Sequence, residues 1–165
     1  QCAKLLSYPH LAEKICKSLA NKIKNKFKKF DVILSPAIGG LILGYEIGRL
    51  LKIETIFAER VKGKFKLRRG FNIKRNSKVL IIEDVITTGG SSLECSELVK
   101  KSKAKLLGFA SLINSSENKI LKIKSKPIIS QLKIKVPVYK KKNIPYTLKQ
   151  IPITTPGSRF LKWLD

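Results

Sequence analysis

The stretch Val79-Leu80-Ile81-Ile82-Glu83-Asp84-Val85-Ile86-Thr87-Thr88-Gly89-Gly90-Ser91 passes from an apolar block through two adjacent carboxylates into a turn of hydroxyls and glycines. Consecutive apolar, β-branched side chains describe a strand buried on both faces, the habit of a parallel sheet. Ser91 to Lys101 follows as a helix that Ser91 or Ser92 can cap, with Glu94 placed to complete a capping box. A strand running straight into a helix is half of a parallel crossover unit, so this stretch sets the fold class.

Working outward, the same alternation recurs. Asp31-Val32-Ile33-Leu34-Ser35, bounded by Pro36, is a strand; Ile38-Gly39-Gly40 turns into a helix from Leu41 to Leu51; Glu54 to Ala58 is the next strand. Leu106 to Ile113 and Pro127 to Ile134 give a fourth and a fifth. From Pro9 to Phe27, Leu11, Ala12, Ile15, Cys16, Leu19, Ala20 and Ile23 recur at the spacing of one buried helical face. Arg60 to Lys74 reads as a long basic loop or ribbon around Gly63 and Gly70. The expectation is an α/β fold: a doubly wound, mainly parallel five-stranded sheet flanked by helices, with right-handed crossovers. Residues 1–165 form a single domain, of which 140–165, with Pro145, Pro152, Pro156 and Gly157, is an irregular C-terminal tail.

Composition narrows the class. At 165 residues and 43% apolar content the chain has enough material for one core. Lys, Arg, Glu or Asn interrupts every hydrophobic stretch before the ~20 residues a membrane span needs, so no membrane association is expected. Cys2, Cys16 and Cys95 form no C-x-x-C pair and no even disulfide framework, which fits a reducing cytoplasm. His10 has no nucleophile or carboxylate beside it and is given no role. The 35 basic and 11 acidic residues leave a charge of +24. Such a field attracts polyanions. Most of the excess is lysine in segments such as Asn21 to Lys29 and Lys119 to Lys126, and aromatics, at 7%, do not interleave with it as a base-stacking platform requires. A solvated basic surface is the expectation, and nucleic acid is not expected as a specific partner.

In an open α/β sheet ligands sit beyond the carboxyl ends of the strands, which puts the residues after Ile82 at the site. The glycines let backbone N–H groups approach an anion at the start of the next helix, and Thr87, Thr88 and Ser91 add hydroxyls. A phosphate monoester suits that turn, with Glu83 and Asp84 facing sugar hydroxyls. No Gly-Lys-Ser/Thr follows, so this is not a P-loop, and no Gly-x-Gly-x-x-Gly marks a dinucleotide site.

An apolar strand, Glu-Asp, two residues and Thr-Thr-Gly-Gly-Ser resembles the phosphoribosyl pyrophosphate signature of type I phosphoribosyltransferases, and Glu83 to Ser91 is similar to the version in the orotate phosphoribosyltransferase family. The likeness continues through Gln1-Cys2-Ala3-Lys4, Ser35-Pro36-Ala37-Ile38-Gly39-Gly40, Phe57-Ala58-Glu59-Arg60, Lys64-Phe65-Lys66-Leu67-Arg68-Arg69-Gly70-Phe71 and Pro156-Gly157-Ser158-Arg159. The resemblance implies a pentosyltransferase in which orotate attacks C1 of phosphoribosyl pyrophosphate, releasing pyrophosphate and orotidine 5'-monophosphate in UMP synthesis. It assigns the 5-phosphate and ribose to Glu83, Asp84, Val85, Ile86, Thr87, Thr88, Gly89, Gly90 and Ser91, with Asp84 also relaying a proton. It assigns pyrophosphate to Ala37, Ile38, Gly39, Gly40 and Arg60, largely through backbone N–H groups. Lys64 and Lys66 join Glu83 and Asp84 as catalytic residues, carried on a mobile basic loop that closes over the site, often from a neighbouring subunit. Mg²⁺ is the implied cofactor, bound mostly to pyrophosphate and ribose oxygens, so no residue is named as a metal ligand. A homodimer is implied as well.

The chain departs from the family pattern in three places. Where an Asp-Arg pair commonly follows the fourth strand, it reads Leu112-Ile113-Asn114-Ser115-Ser116, and lysine elsewhere does not reproduce a bidentate guanidinium contact. A segment preceding Gln1 is expected to be missing. In the tail, Ile144-Pro145-Tyr146-Thr147 stands where a Cys-Pro-x-Cys is common. Two other readings stay open: a phosphoribosyltransferase for another base, and a non-catalytic nucleotide sensor or RNA-binding regulator on the same fold.

Overall fold

The computed structural model describes residues 1–115, 126–137, 139 and 143–152. Helices α1 (Cys2–Leu6) and α2 (Pro9–Lys26) lead into strand β1 (Val32–Pro36), helix α3 (Gly39–Leu51) and strands β2 (Glu54–Val61) and β3 (Lys64–Leu67). Strand β4 (Lys78–Ile86), helix α4 (Gly90–Lys101), strands β5 (Lys105–Asn114) and β6 (Ile128–Lys133) and the single turn α5 (Tyr146–Lys149) complete the described order. The sheet runs β3-β2-β1-β4-β5-β6 and is parallel except for β3, which pairs antiparallel with β2.

The expected five strands are therefore present as the five parallel ones, and the sheet has a sixth. The added strand lies inside the segment that sequence reads as a basic loop. Arg60 and Val61 continue β2, Lys62 and Gly63 turn with φ of 49° and 78°, and Lys64 to Leu67 return beside β2. Two successive positive φ values are the geometry of a tight two-residue hairpin turn, which glycine at the second position makes cheap. Of the expected tail 140–165, the described part holds only α5, and Pro156 to Arg159 lie outside the described residues.

Two apolar layers sandwich the sheet. Ile33, Leu80, Ile82, Ala110 and Leu112 face α2 and α3, meeting Cys16, Leu19, Ile23, Leu43 and Ile47. Val32, Leu34, Ile56, Val79, Ile81 and Phe109 face the other way, toward Cys95 and Val99 of α4. Each such fully buried side chain stabilises by about 1.5–3 kcal/mol. Of the α2 face predicted from its spacing, Ala12, Cys16, Leu19, Ala20 and Ile23 are inside and Ile15 is half-buried, while Leu11, in the first turn at the margin of that face, is exposed.

Helix α3 lies on the sheet with almost no side-chain spacer. A Cβ placed on Gly44 would stand 2.0 Å from Ser35 Oγ, and one on Gly48 would stand 1.9 Å from Thr55 Oγ1. At the start of the helix the approach is as close: a Cβ on Gly40 would stand 2.7 Å from Ile82 O and 3.2 Å from Pro36 Cδ, which sets the first turn of α3 against the carboxyl ends of β1 and β4, where the site forms.

Candidate functional site

A cavity of about 940 Å³ opens at the carboxyl ends of β1, β2 and β4, between the first turns of α3 and α4. Pro36 to Leu41 form one wall, Glu83 and Asp84 the floor, Ser91 and Glu94 a second wall, and Phe57, Glu59, Arg60, Phe65 and Arg69 a third. Strand β4 continues through the acid pair instead of ending at Ile82, which explains how two neighbouring carboxylates serve two sides. Successive strand residues point to opposite faces. Glu83 turns toward α4, where its Oε2 accepts a hydrogen bond from Ser92 Oγ. Asp84 turns toward α3, close against Gly39.

Burial raises the Asp84 carboxyl above the ordinary aspartate range, opposed in part by hydrogen bonds from the backbone N–H groups of Val85 and Asp84. A carboxylate held there by its surroundings is a candidate acid–base group. Burial also pushes the Cys16 thiol up to about 11 and the Cys95 thiol up to about 12, so neither is a thiolate nucleophile at neutral pH.

Of the residues expected at the site, Glu83, Asp84, Ser91, Ala37, Ile38, Gly39, Gly40 and Arg60 line the cavity together. Gly39 and Gly40 are already the first turn of α3, which starts two residues earlier than its apolar pattern indicates. Their N–H groups are among those a helix leaves unpaired, the donors an anion needs. Gly89 is the N-cap of α4 with φ 72°, and no side chain caps this helix. The capping box expected of Ser91 or Ser92 with Glu94 does not form, because Ser92 is drawn to Glu83 and Glu94 to Arg60. Thr87 and Thr88 are exposed on the turn. Val85 packs against the core layer of α2 and α3, and Ile86 is buried in the opposite layer, so any contact they make to a ligand is through backbone.

Lys64 and Lys66 alternate with the buried Phe65 and are exposed, and neither lines this cavity. Arg60, by contrast, sits over the Phe65 ring at 4.1 Å, donates to Gly63 O at 2.6 Å and makes a forked contact to Glu94 at 2.9 and 3.1 Å. Arg69 is paired with Glu59, and Arg68 approaches the same carboxylate at 3.4 Å. Glu59, Glu94 and Arg69 were not expected in the cavity from spacing. Their signal was pairwise: each carboxylate answers an arginine distant in sequence.

Substituting Gly39 by Ala tests the contact between the two loops. A Cβ there would lie 2.7 Å from Asp84 Oδ1, so the carboxylate must shift. The expected result is a kcat reduced about ten- to a hundredfold at an unchanged melting temperature. A lower melting temperature with kcat intact would assign Gly39 to packing alone.

Among the described residues no group of three or more His, Cys, Asp or Glu side chains is arranged to hold a metal, and no helix is long and apolar enough to cross a membrane.

Residues 4–147 match the phosphoribosyl transferase domain. The chain is 43% identical over 162 residues to an orotate phosphoribosyltransferase of Caldicellulosiruptor saccharolyticus, covering 98% of this chain and 83% of the relative. It is 40% identical over 159 residues to that of Carboxydothermus hydrogenoformans, covering 96% and 82%. The crystal structure of orotate phosphoribosyltransferase from Aeropyrum pernix shares the fold with a TM-score of 0.71 at 15% identity, covering 81% of this chain and 77% of that one. A likeness in sequence over nearly all of the chain, on a sheet that opens its cavity where the signature lies, leaves one conclusion: the chain belongs to the phosphoribosyltransferase family, in its orotate phosphoribosyltransferase branch.

Proposed function

We propose that the chain transfers the ribose 5-phosphate of phosphoribosyl pyrophosphate to orotate, yielding orotidine 5'-monophosphate and pyrophosphate. The observation that carries this reading is the convergence of Glu83 and Asp84 with the first turns of α3 and α4 around one cavity, in a chain 40–43% identical to enzymes of that name. In this reading the start of α4 holds the 5-phosphate, the start of α3 holds pyrophosphate, and the two carboxylates bind the ribose hydroxyls from opposite sides of β4. Orotate attacks C1 as the C1–O bond to pyrophosphate breaks, and the bonding pair leaves with pyrophosphate. Backbone N–H groups and Arg60 stabilise the charge that develops on it.

The cavity wall carries Glu59, Glu83, Asp84 and Glu94 against Arg60 and Arg69, and both guanidiniums are already paired. So acidic a wall would suit a substrate whose own charge is reduced by Mg²⁺, and Glu83 and Asp84 are the residues that would help to hold the ion. When bound, Mg²⁺ would neutralise pyrophosphate oxygens.

The chain acts as a homodimer in this reading. Ile38, Ile42 and Tyr45 lie at helical spacing on the exposed side of α3, with 79% of Ile38 open beside the cavity mouth. A partner seated there would bring its hairpin near the site, giving Lys64 and Lys66 a role that their own cavity does not offer them. Three free, buried cysteines support a cytoplasmic setting.

Asn114 and Ser115 favour one other reading, a transferase for a different base. They end β5 beside Ile86, with Ser115 N–H donating to Ile86 O at 2.9 Å, and residues 116–125 lie outside the described residues. Pyrophosphate release from phosphoribosyl pyrophosphate and Mg²⁺ across orotate, uracil, adenine and guanine separates the two. Turnover with orotate alone is the expected result, and turnover with another base but not orotate would overturn it.

A further inference from the structure

Of the 35 basic residues, the topology sets eight side by side at the end of the sheet opposite the cavity. Lys28 and Lys29 lead into β1 and Lys52 into β2. Lys74, Arg75 and Lys78 lead into β4, and Lys103 and Lys105 into β5. The register holds these starts side by side. Lys78 is the partner of Lys105, Asp31 N–H donates to Lys78 O at 2.8 Å, and Lys105 N–H donates to Ser77 O at 2.8 Å. All eight cations are exposed, and among the described residues of these strand starts Asp31 and Glu54 are the acids that oppose them. Asp31 already accepts the Lys78 backbone N–H at 2.7 Å.

None of the eight side chains hydrogen-bonds or ion-pairs with a described residue, since the ion pairs lie on α2 and α3 and around the cavity. Lysines in the last turn of a helix answer the helix dipole. Lys28, Lys52 and Lys103 stand at or just past the ends of α2, α3 and α4, where that account applies, but Lys74, Arg75, Lys78 and Lys105 do not. Uncompensated like charges repel one another and destabilise the compact state, a cost that a bound polyanion removes.

The shape of the edge selects the polyanion. Lys24, Lys28, Lys29 and Lys52 rim a depression of about 380 Å³ with Phe27 and Phe30 at its base. Both rings are only 8% exposed. Among the described residues, the exposed large apolar side chains lie on the cavity halves of α2, α3 and α4 and at or beyond the end of β6, and none lies at this edge. The described part of the edge thus offers neither an apolar anchor for a bilayer nor an exposed ring for base stacking, and charge is what it presents. Across β2, β1, β4 and β5, at about 4.8 Å per strand, the cations span roughly 14 Å. A duplex presents on the order of eight phosphates over that length.

We infer that the amino-end edge of the sheet is a docking surface for nucleic acid, gripping the phosphodiester backbone by charge and reading no sequence. The surface is separate from the substrate cavity, so both can be occupied at once.

The test titrates the whole chain against a labelled duplex RNA and a labelled duplex DNA by fluorescence anisotropy. Both duplexes are expected to bind about equally, with affinity falling about a thousandfold between about 50 and about 200 mM salt. Lys28→Gln, Lys29→Gln, Lys78→Gln and Lys105→Gln together are expected to weaken binding more than about tenfold and to lower the salt slope by about three to four. The four corresponding Lys→Arg changes keep it, and turnover is unchanged in both variants. Four Lys→Gln changes elsewhere, at Lys4, Lys14, Lys17 and Lys135, are expected to have much less effect. The inference fails if that second set weakens binding equally, if phosphoribosyl pyrophosphate with Mg²⁺ displaces the duplex, or if phosphatidylserine vesicles bind more tightly than either duplex at equal phosphate.

Discussion

Replacing Glu83 by Gln and Asp84 by Asn in one chain is expected to lower kcat by about a thousandfold or more, with a melting temperature at neutral pH equal to or above that of the unaltered protein. Both changes preserve volume and leave the apolar part of β4 intact, so the strand keeps its place. Activity is lost because neither amide can accept a proton from, or hold as an anion, the ribose hydroxyls. Stability moves the other way because burial raises the Asp84 pKa. The folded chain therefore binds that proton more tightly than the unfolded chain does. Ionised Asp84 weakens the fold above its folded pKa, and the penalty vanishes below the unfolded value of about 3.9. An amide at this position escapes the penalty, so its advantage is present at neutral pH and fades in acid. Melting curves from neutral to acid pH, beside kcat, check both halves. Unaltered kcat in the double variant would sink the site assignment.

Lys64→Ala with Lys66→Ala is expected to lower kcat/KM about a hundredfold while moving the melting temperature little, since exposed lysines contribute little to folding. Neither side chain lines the cavity of its own chain, so under the proposed homodimer the effect arises through a second copy. Mixing this variant with the Glu83→Gln/Asp84→Asn variant then restores part of the activity, because a mixed dimer pairs one intact hairpin with one intact acid pair. If mixing restores nothing while the lysine variant alone is impaired, the hairpin serves its own chain. If only stability falls, the lysines are structural.

What was legible in the sequence follows from the range of the interactions. The five parallel strands and the α2 face were readable because burial on both sides of a sheet, or on one side of a helix, imposes a local period on the residues themselves. The turn from β4 into α4 was readable because Glu83 to Ser91 packs its carboxylates, hydroxyls and glycines into one short string. The sixth strand was not, because the alternation Lys64-Phe65-Lys66-Leu67 lasts only four residues inside a basic run, and the turn signal Lys62-Gly63 is a weak one. Lines of charge hid in the same way. The partnership of Arg60 with Glu94 spans 34 positions, and a glutamate near a helix start is equally explained by capping until the fold brings the arginine beside it. The gathering of lysines at one edge is likewise a product of strand register, not of any run in the sequence.

The forked contact between Arg60 and Glu94 bears on how an anion enters. A bare guanidinium facing an empty cleft would hold tightly ordered water that every arriving substrate must strip away. Here Arg60 rests on the Phe65 face with one carboxylate already in its fork. In the proposed reaction pyrophosphate brings the same two-oxygen geometry to Arg60, so entry would exchange one oxyanion for another. Glu94 stands on α4, three residues beyond Ser91 of the phosphate turn, so the residue set free belongs to the helix that receives the other end of the same substrate. Occupancy at one end of the ligand is thereby communicated to the other by a single swap of partners.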